Sequence, residues 1–409
     1  MRGDVKAGAT QVKRFAFIVS IAGFALTACK TVPLNDDPTA PRQTTEWMAD
    51  LRQSGTSVPM LYDIDWWRPL VVSPFFEFGP LEPAAPALDP ETERVIVATR
   101  DGHVRCLSPV DGKVEWEIFT PNRFWAGPKV EHGVVYVPGG DGVLYALKAR
   151  TGETLWKYSA GEELVTTPVV AGGAVYIASQ GDTLFSVDQQ TGKWLWQYRR
   201  DLPVGFSVRG ASRPAVKDGI VYQGFADGSV VALAAKDGAT KWERKLTTSG
   251  GNQFLDVDTP PVLDASGHLY AASYKDGIAC LDAKTGDLIW ISAHPGVTSL
   301  LPAGGVLYTS GDGRLAAVSV RDGRQLWSVD LSDKKKIDNS GGAPVLARGT
   351  LVVPTSTGLM FVDPQSGHPR LGWNPGRGVT ATPVQDGKRL YVLSNLGTVF
   401  ALHLYGSGH

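Results

Sequence analysis

The chain of 409 residues has little cysteine, with one each at positions 29, 106 and 280. Three cysteines with no CxxC spacing and no Cys/His cluster exclude a disulfide framework and suggest no structural zinc site. An excess of one charge is also missing. The 40 basic and 41 acidic residues leave a formal net charge of −1. That balance gives no overall bias toward nucleic acid or an anionic membrane. The GxSxG, HExxH and P-loop signatures are absent. The histidines, at 103, 132, 268, 294, 368, 403 and 409, are scattered through hairpin- and loop-like contexts. They read as solvent-exposed polar residues.

Glycine and tryptophan are plentiful, at 47 and 12 residues. The stretch Thr166 to Trp196 shows how they are used. It divides into four short apolar runs: Thr167 to Val170, Ala174 to Ala178, Thr183 to Asp188 and Lys193 to Trp196. Gly172-Gly173, Gly181-Asp182 and Thr191-Gly192 separate them. Such runs are antiparallel strands joined by tight hairpins. A sheet of four is too small to stand alone, so its recurrence matters more than its presence. Tryptophans that follow a turn glycine fall at 116, 156, 196, 242, 290, 327 and 373, in steps of 40, 40, 46, 48, 37 and 46. Four strands at a period of about 40 residues mark a propeller blade.

An eighth unit begins at Ala381 and runs through Leu390 to Leu393 and Thr398 to Leu402. The sequence then ends at His409 with no fourth strand. An open ring would expose unpaired backbone groups. The segment Asp63 to Arg68 is therefore expected to supply the missing strand, with Trp67 as its docking tryptophan. The predicted fold is all-β. Residues 60–409 form an eight-bladed β-propeller of four-stranded antiparallel blades, closed by an N-terminal strand in the last blade. The recurrent tryptophans read as packing between blades. Cys106 and Cys280 take equivalent places in blades one and five, across the ring, and read as small buried hydrophobes.

The first 29 residues form a targeting segment. Lys13 and Arg14 precede a 12-residue apolar run, Phe15 to Leu26, which is too short to span a bilayer. Leu26-Thr27-Ala28-Cys29 resembles the bacterial lipobox. That resemblance implies that Cys29 carries acyl chains such as palmitate and becomes the mature N-terminus. The alternative is an ordinary signal peptide cut near a cysteine. One chain binds a membrane only marginally, whereas two or three on one residue hold the protein there. Lys30, where Asp is the residue linked to inner-membrane retention, points to the outer membrane. Residues 30–59 are rich in Pro, Thr, Asp and Gln and read as a flexible tether.

The long steps around blades four and five place extra residues between the outer strand of one blade and the inner strand of the next. Aligning Pro168, Pro214 and Pro261 puts Glu163, Arg209 and Asp256 at one shared position, five residues earlier. Arg209 and Asp256 are thus expected on one face, in adjacent blades, near the central funnel. Asp258 lies two residues on, and Phe206 and Val208 flank Arg209. An apolar pair beside an arginine and two carboxylates has the composition of a protein-binding hot spot. The alternative is a self-contained Arg209–Asp256 salt bridge that only braces two blades.

The repeat pattern of G-VYV, DG-LYALD and TG-LW resembles the blades of quinoprotein propellers. The segments Phe206 to Pro214 and Phe254 to Pro261 resemble the marker loops of the BamB family. That resemblance implies a non-catalytic lipoprotein scaffold of the outer-membrane β-barrel assembly machinery, on the periplasmic face. It implies contact between Phe206, Val208, Arg209, Asp256 and Asp258 and the POTRA domains of BamA, with no cofactor and no metal. Phe206 stands where the family usually has an aliphatic residue. Outside its complex the protein is expected to be monomeric and to bind no nucleic acid. The rival class is a quinone-cofactor (PQQ-like) dehydrogenase, which needs a cation and its ligands. The sequence has no adjacent cysteine pair, and its funnel carboxylates Glu163, Asp256 and Asp258 share space with Arg209. A third reading is a periplasmic glycan- or protein-binding propeller. Lys334-Lys335-Lys336, flanked by Asp333 and Asp338, reads as a solvated turn.

Overall fold

Short apolar strands fold back on one another where Gly, and less readily Asp, lets the backbone turn left-handed. The computed structural model describes residues 61–71, 81–201, 211–246, 257, 259–331 and 342–405. Among these residues, the strands form eight sheets of four antiparallel strands each. Blade three is representative: Val169–Ala171, Ala174–Ala178, Thr183–Asp188 and Trp194–Arg199 pair in that order. The blades occupy residues 87–119, 129–159, 169–199, 215–245, 262–292, 299–330 and 345–373. The eighth combines 384–404 with the N-terminal strand Tyr62–Pro69. That strand runs antiparallel to Thr398–Leu404, from Tyr62 opposite Leu404 to Pro69 opposite Thr398. The ring is thus an eight-bladed propeller closed by an N-terminal strand, as the missing eighth outer strand predicted.

The core is a circle of wedges. Each of eight apolar clusters joins two neighbouring blades. Between blades three and four, Tyr176, Leu184 and Trp196 meet Val221, Val231 and Leu233. No blade buries both of its faces alone, so each is stable only against its neighbours.

The tryptophans serve this packing by one repeated geometry. Trp66, Trp116, Trp156, Trp196, Trp242, Trp290 and Trp327 each reach the turn before the next blade's outer strand. Each indole N–H donates to a carbonyl there at 2.9–3.2 Å. Each ring also lies on a turn glycine: Gly112, Gly152, Gly192, Gly238, Gly286, Gly323 or Gly367. These glycines have φ of +67° to +76°, and a Cβ on any of them would come within 2.4–2.8 Å of a ring atom. Glycine is required there for both conformation and space. The glycine and tryptophan of one repeat are therefore not partners, because each tryptophan docks on the following repeat's glycine.

Two expectations need correction. The docking tryptophan of the closing strand is Trp66 and not Trp67. Trp66 is 8% exposed and donates to Pro109, whereas Trp67 is 44% exposed. A bulge at Asp65 sets the phase, leaving Trp66 opposite Ala401 and Trp67 opposite Phe400. In blade seven the docking place holds Leu371, not Trp373. Leu371 lies opposite Phe361 just past the bulge, as Trp196 lies opposite Ser186. Blade eight takes its third and fourth strands from opposite ends of the sequence, so no turn joins them. A tryptophan at 371 would have no turn glycine to cover. Trp373, two residues further on, instead packs edge-on against Phe400 at 4.9 Å and beside Tyr62.

Cys106 and Cys280 are buried, unpaired and in equivalent third-strand places, opposite Trp116 and Trp290. Burial pushes each thiol up to about 12, so neither is a nucleophile near neutral pH.

Candidate functional site

The connections from each outer strand to the next inner strand lie against the hairpins that join second and third strands. In blade three, Gln180 of the hairpin donates its N–H to the Glu163 carbonyl at 2.9 Å. In blade eight, Asn395 donates to the Gly378 carbonyl at 3.0 Å. Glu163 and Gly378 both stand five residues before a first-strand proline, Pro168 and Pro383. The residue after this place is a buried plug: Phe124, Leu164, Val257 and Val379 are all at most 1% exposed. Val257 and Val379 each donate their N–H to the start of the hairpin, at Phe225 and Thr355, at 3.2 and 2.9 Å. One face of the ring is thus built alike from blade to blade.

The long connections on this face are 200–214 and 246–261, as the spacing predicts, and a third, 331–344. The third corresponds to the step of 46 residues from Trp327 to Trp373. Phe206, Val208, Arg209, Asp256 and Asp258 lie outside the described residues, as do Cys29 and Lys334 to Lys336.

The described ends of the first two connections are tied to the ring and to each other. Ser212 donates to the Thr259 carbonyl at 3.2 Å, and Thr259 donates to the Val297 carbonyl at 3.1 Å. These hydroxyls stand two residues before the blade-four and blade-five prolines, so the tie passes from blade four to five to six. The Gln223 side-chain amide donates to the Ser212 carbonyl at 2.7 Å from within the sheet. Gly224 admits the Val257 carbonyl where a Cβ would stand only 2.5 Å away. At the outer end, Arg200 bridges Asp227 at 2.9 Å and Glu243 at 2.6 Å. Arg200 and Ser212 thus tie the two described ends of connection 200–214 to the ring. Arg213, one residue before Pro214, keeps an exposed side chain among surrounding protein, and partial desolvation lowers its pKa.

The same position in blades two and three is fully described and carries more than the spacing suggested. Glu163 accepts a hydrogen bond from the indole N–H of Trp125. Trp125 lies in the preceding connection, and the Arg123 guanidinium sits 5.4 Å from its ring centroid. Arg123 is five residues before Pro128, at the place of Glu163 and, by sequence, of Arg209 and Asp256. Applying the proline rule one blade earlier finds it. Among the described residues, no three His, Cys, Asp or Glu side chains converge as metal ligands.

A family model described as outer membrane protein assembly factor BamB matches residues 100–329 and 311–405. A curated relative of that name from Shewanella oneidensis is 30% identical over 167 residues, covering 39% of this chain and 41% of its own length. The chain spans about half the length of the curated relatives it matches, between 41% and 52% of the relative in each case. BamB from Moraxella catarrhalis has the same fold, with a TM-score of 0.72 and 24% identity over 84% of this chain and 100% of that one. A quinohemoprotein alcohol dehydrogenase from Pseudomonas putida HK5 also shares the propeller, with a TM-score of 0.66 and 14% identity over 85% of this chain and 77% of that one. At these identities the structural likeness shows the fold alone. The family match covers most of the propeller and all three long connections, and the chain belongs to the BamB family of outer membrane protein assembly factors.

Proposed function

We propose that the protein is a non-catalytic scaffold of outer-membrane protein assembly. It is held on the periplasmic face of the outer membrane by a lipid on Cys29. It binds the POTRA domains of BamA through Phe206, Val208, Arg209, Asp256 and Asp258. The observation that carries this reading is the family match across 100–405, which takes in the connections 200–214 and 246–261. Support comes from the ties that hold the described ends of those connections, Ser212 to Thr259 and Arg200 to Asp227 and Glu243. A ring braced in this way gives a partner a preorganised surface.

Calorimetric titration of the protein with a purified BamA periplasmic region tests the reading. Arg209→Ala is expected to weaken binding about tenfold or more, as loss of a hot-spot arginine does. Its thermal midpoint should be unchanged. Unchanged affinity would reduce Arg209 to a brace between two blades.

The quinone-dehydrogenase reading has the shared propeller fold in its favour. Of its candidate funnel carboxylates, Glu163 is described and bonds Trp125, while Asp256 and Asp258 lie outside the described residues. Addition of pyrroloquinoline quinone and calcium is expected to leave the quinone spectrum unshifted, and a shift would reopen that reading.

A further inference from the structure

We propose that Arg123 and Trp125, positioned by Glu163, carry the docking face onward across blades two and three. They would take a protein segment that presents a carboxylate beside an apolar side chain. This rests on the scaffold reading, because the face and the partner are the same. Three observations carry it. The first is place: Arg123, Glu163, Arg209 and Asp256 each stand five residues before a first-strand proline in successive blades, giving a row of alternating charge. Where the row is described, each member precedes a buried plug, Phe124 or Leu164, that fixes its direction.

The second is composition. Trp125 is 36% exposed and stands on this face with an arginine over its ring. Tryptophan and arginine are the residues most enriched at energetically dominant contact points. The third is charge. Among the described residues Arg123 forms no ion pair, and its guanidinium rests on the Trp125 ring. A guanidinium resting on an indole keeps its N–H edge free for a carboxylate. Glu163 accepts the indole N–H and so holds the ring in one orientation before any partner arrives. A side chain already ordered loses less entropy on binding. The opposite charges of Arg123 and Glu163 also set register, because a partner shifted by one blade would meet like charge.

The test uses the full membrane-anchored protein in cells, with a photoreactive residue at position 125 or, separately, at position 206. Arg123→Glu is titrated in parallel against the purified BamA periplasmic region. The expected result is a crosslink to the same partner from both positions. Arg123→Glu should also lose affinity about tenfold or more, with a thermal midpoint within about 2 °C of the parent. A crosslink from 206 without one from 125, or full affinity in Arg123→Glu, overturns the extended face and leaves the scaffold reading standing. No crosslink from either position overturns the scaffold reading and the extension with it. Trp125→Phe, which keeps a ring for Arg123 but loses the bond to Glu163, separates the roles. Weaker binding at unchanged stability supports preorganisation, and a lower thermal midpoint with unchanged binding assigns the cluster to blade packing alone.

Discussion

The wedge between blades three and four and the wedges around blade eight solve one packing problem in two ways. In the first, Trp196 lies on Gly238 and donates to the Ala235 carbonyl, and every part belongs to a repeat. At blade seven the tryptophan is replaced by Leu371, and Trp373, Phe400 and Tyr62 fill the space. On the other side of blade eight, Trp66 restores the repeat geometry on Gly112, from a strand contributed by the far end of the sequence. That seam also holds a buried ion pair. Glu82 bonds Arg100 of the blade-one hairpin and donates its own backbone N–H to Asn395 Oδ1 of blade eight at 3.3 Å. Arg200 and Asp227 make the corresponding pair at blade four, so the seam differs in burying its carboxylate far more deeply. The docking geometry needs a turn between third and fourth strands, and it fails only where chain connectivity removes that turn.

The largest effects should follow removal of a docking ring. Trp66→Ala and Trp196→Ala are each expected to cost about 3–5 kcal/mol, as loss of a buried tryptophan does. Trp67→Ala should stay within about 1 kcal/mol. Denaturant unfolding of the three variants measures this. Equal losses at 66 and 67 would break the assignment of the closing strand's phase.

A smaller contrast separates two glycines of nearly equal backbone angle, Gly238 at +73° and Gly219 at +74°. A Cβ at Gly238 would stand 2.8 Å from the Trp196 ring, while Gly219 has nothing within 4 Å. Gly219→Ala should cost about 1 kcal/mol, from the left-handed backbone alone. Gly238→Ala should add an overpacking cost, for a total of about 2–4 kcal/mol. Equal midpoints in the two variants would show that the ring shifts aside without cost.

The seam should answer to pH near neutrality. Burial pushes the Glu82 carboxyl up to about 7, against the pull of Arg100. The folded state then holds the proton more tightly than the unfolded chain. The resulting stability is full below the ordinary carboxylate range and is lost as pH rises through 7. Relative to Glu82→Gln, the parent should lose about 1–3 kcal/mol between pH 5 and 8. Parallel stability–pH curves for the two proteins would mean that Arg100 keeps Glu82 ionised throughout.

Much of this architecture was legible in the sequence because it repeats. Turn glycines and strand alternation announce themselves locally, and the blade count follows from their period. The aligned prolines located the face and the position of Glu163. The same rule reaches Arg123, but Trp125 lies in a connection of ordinary length, which spacing does not single out. Trp66 and Trp67 were not separable by pattern, because adjacent residues on a strand point to opposite faces and the Asp65 bulge decides which is which. Trp373 fitted the spacing and still missed the docking place, because blade eight is assembled from both chain ends.

Composition and period therefore specified eight blades, their strand order and the rule that an N-terminal strand closes them. These features depend on backbone preferences and on each strand's own neighbours. Only the folded ring decided which aromatic side chain fills each wedge, how the seam is paired and which charged residues share a face. Those outcomes depend on contacts between residues brought together by closure, up to 342 positions apart for Asp63 and Tyr405. No local pattern records such contacts.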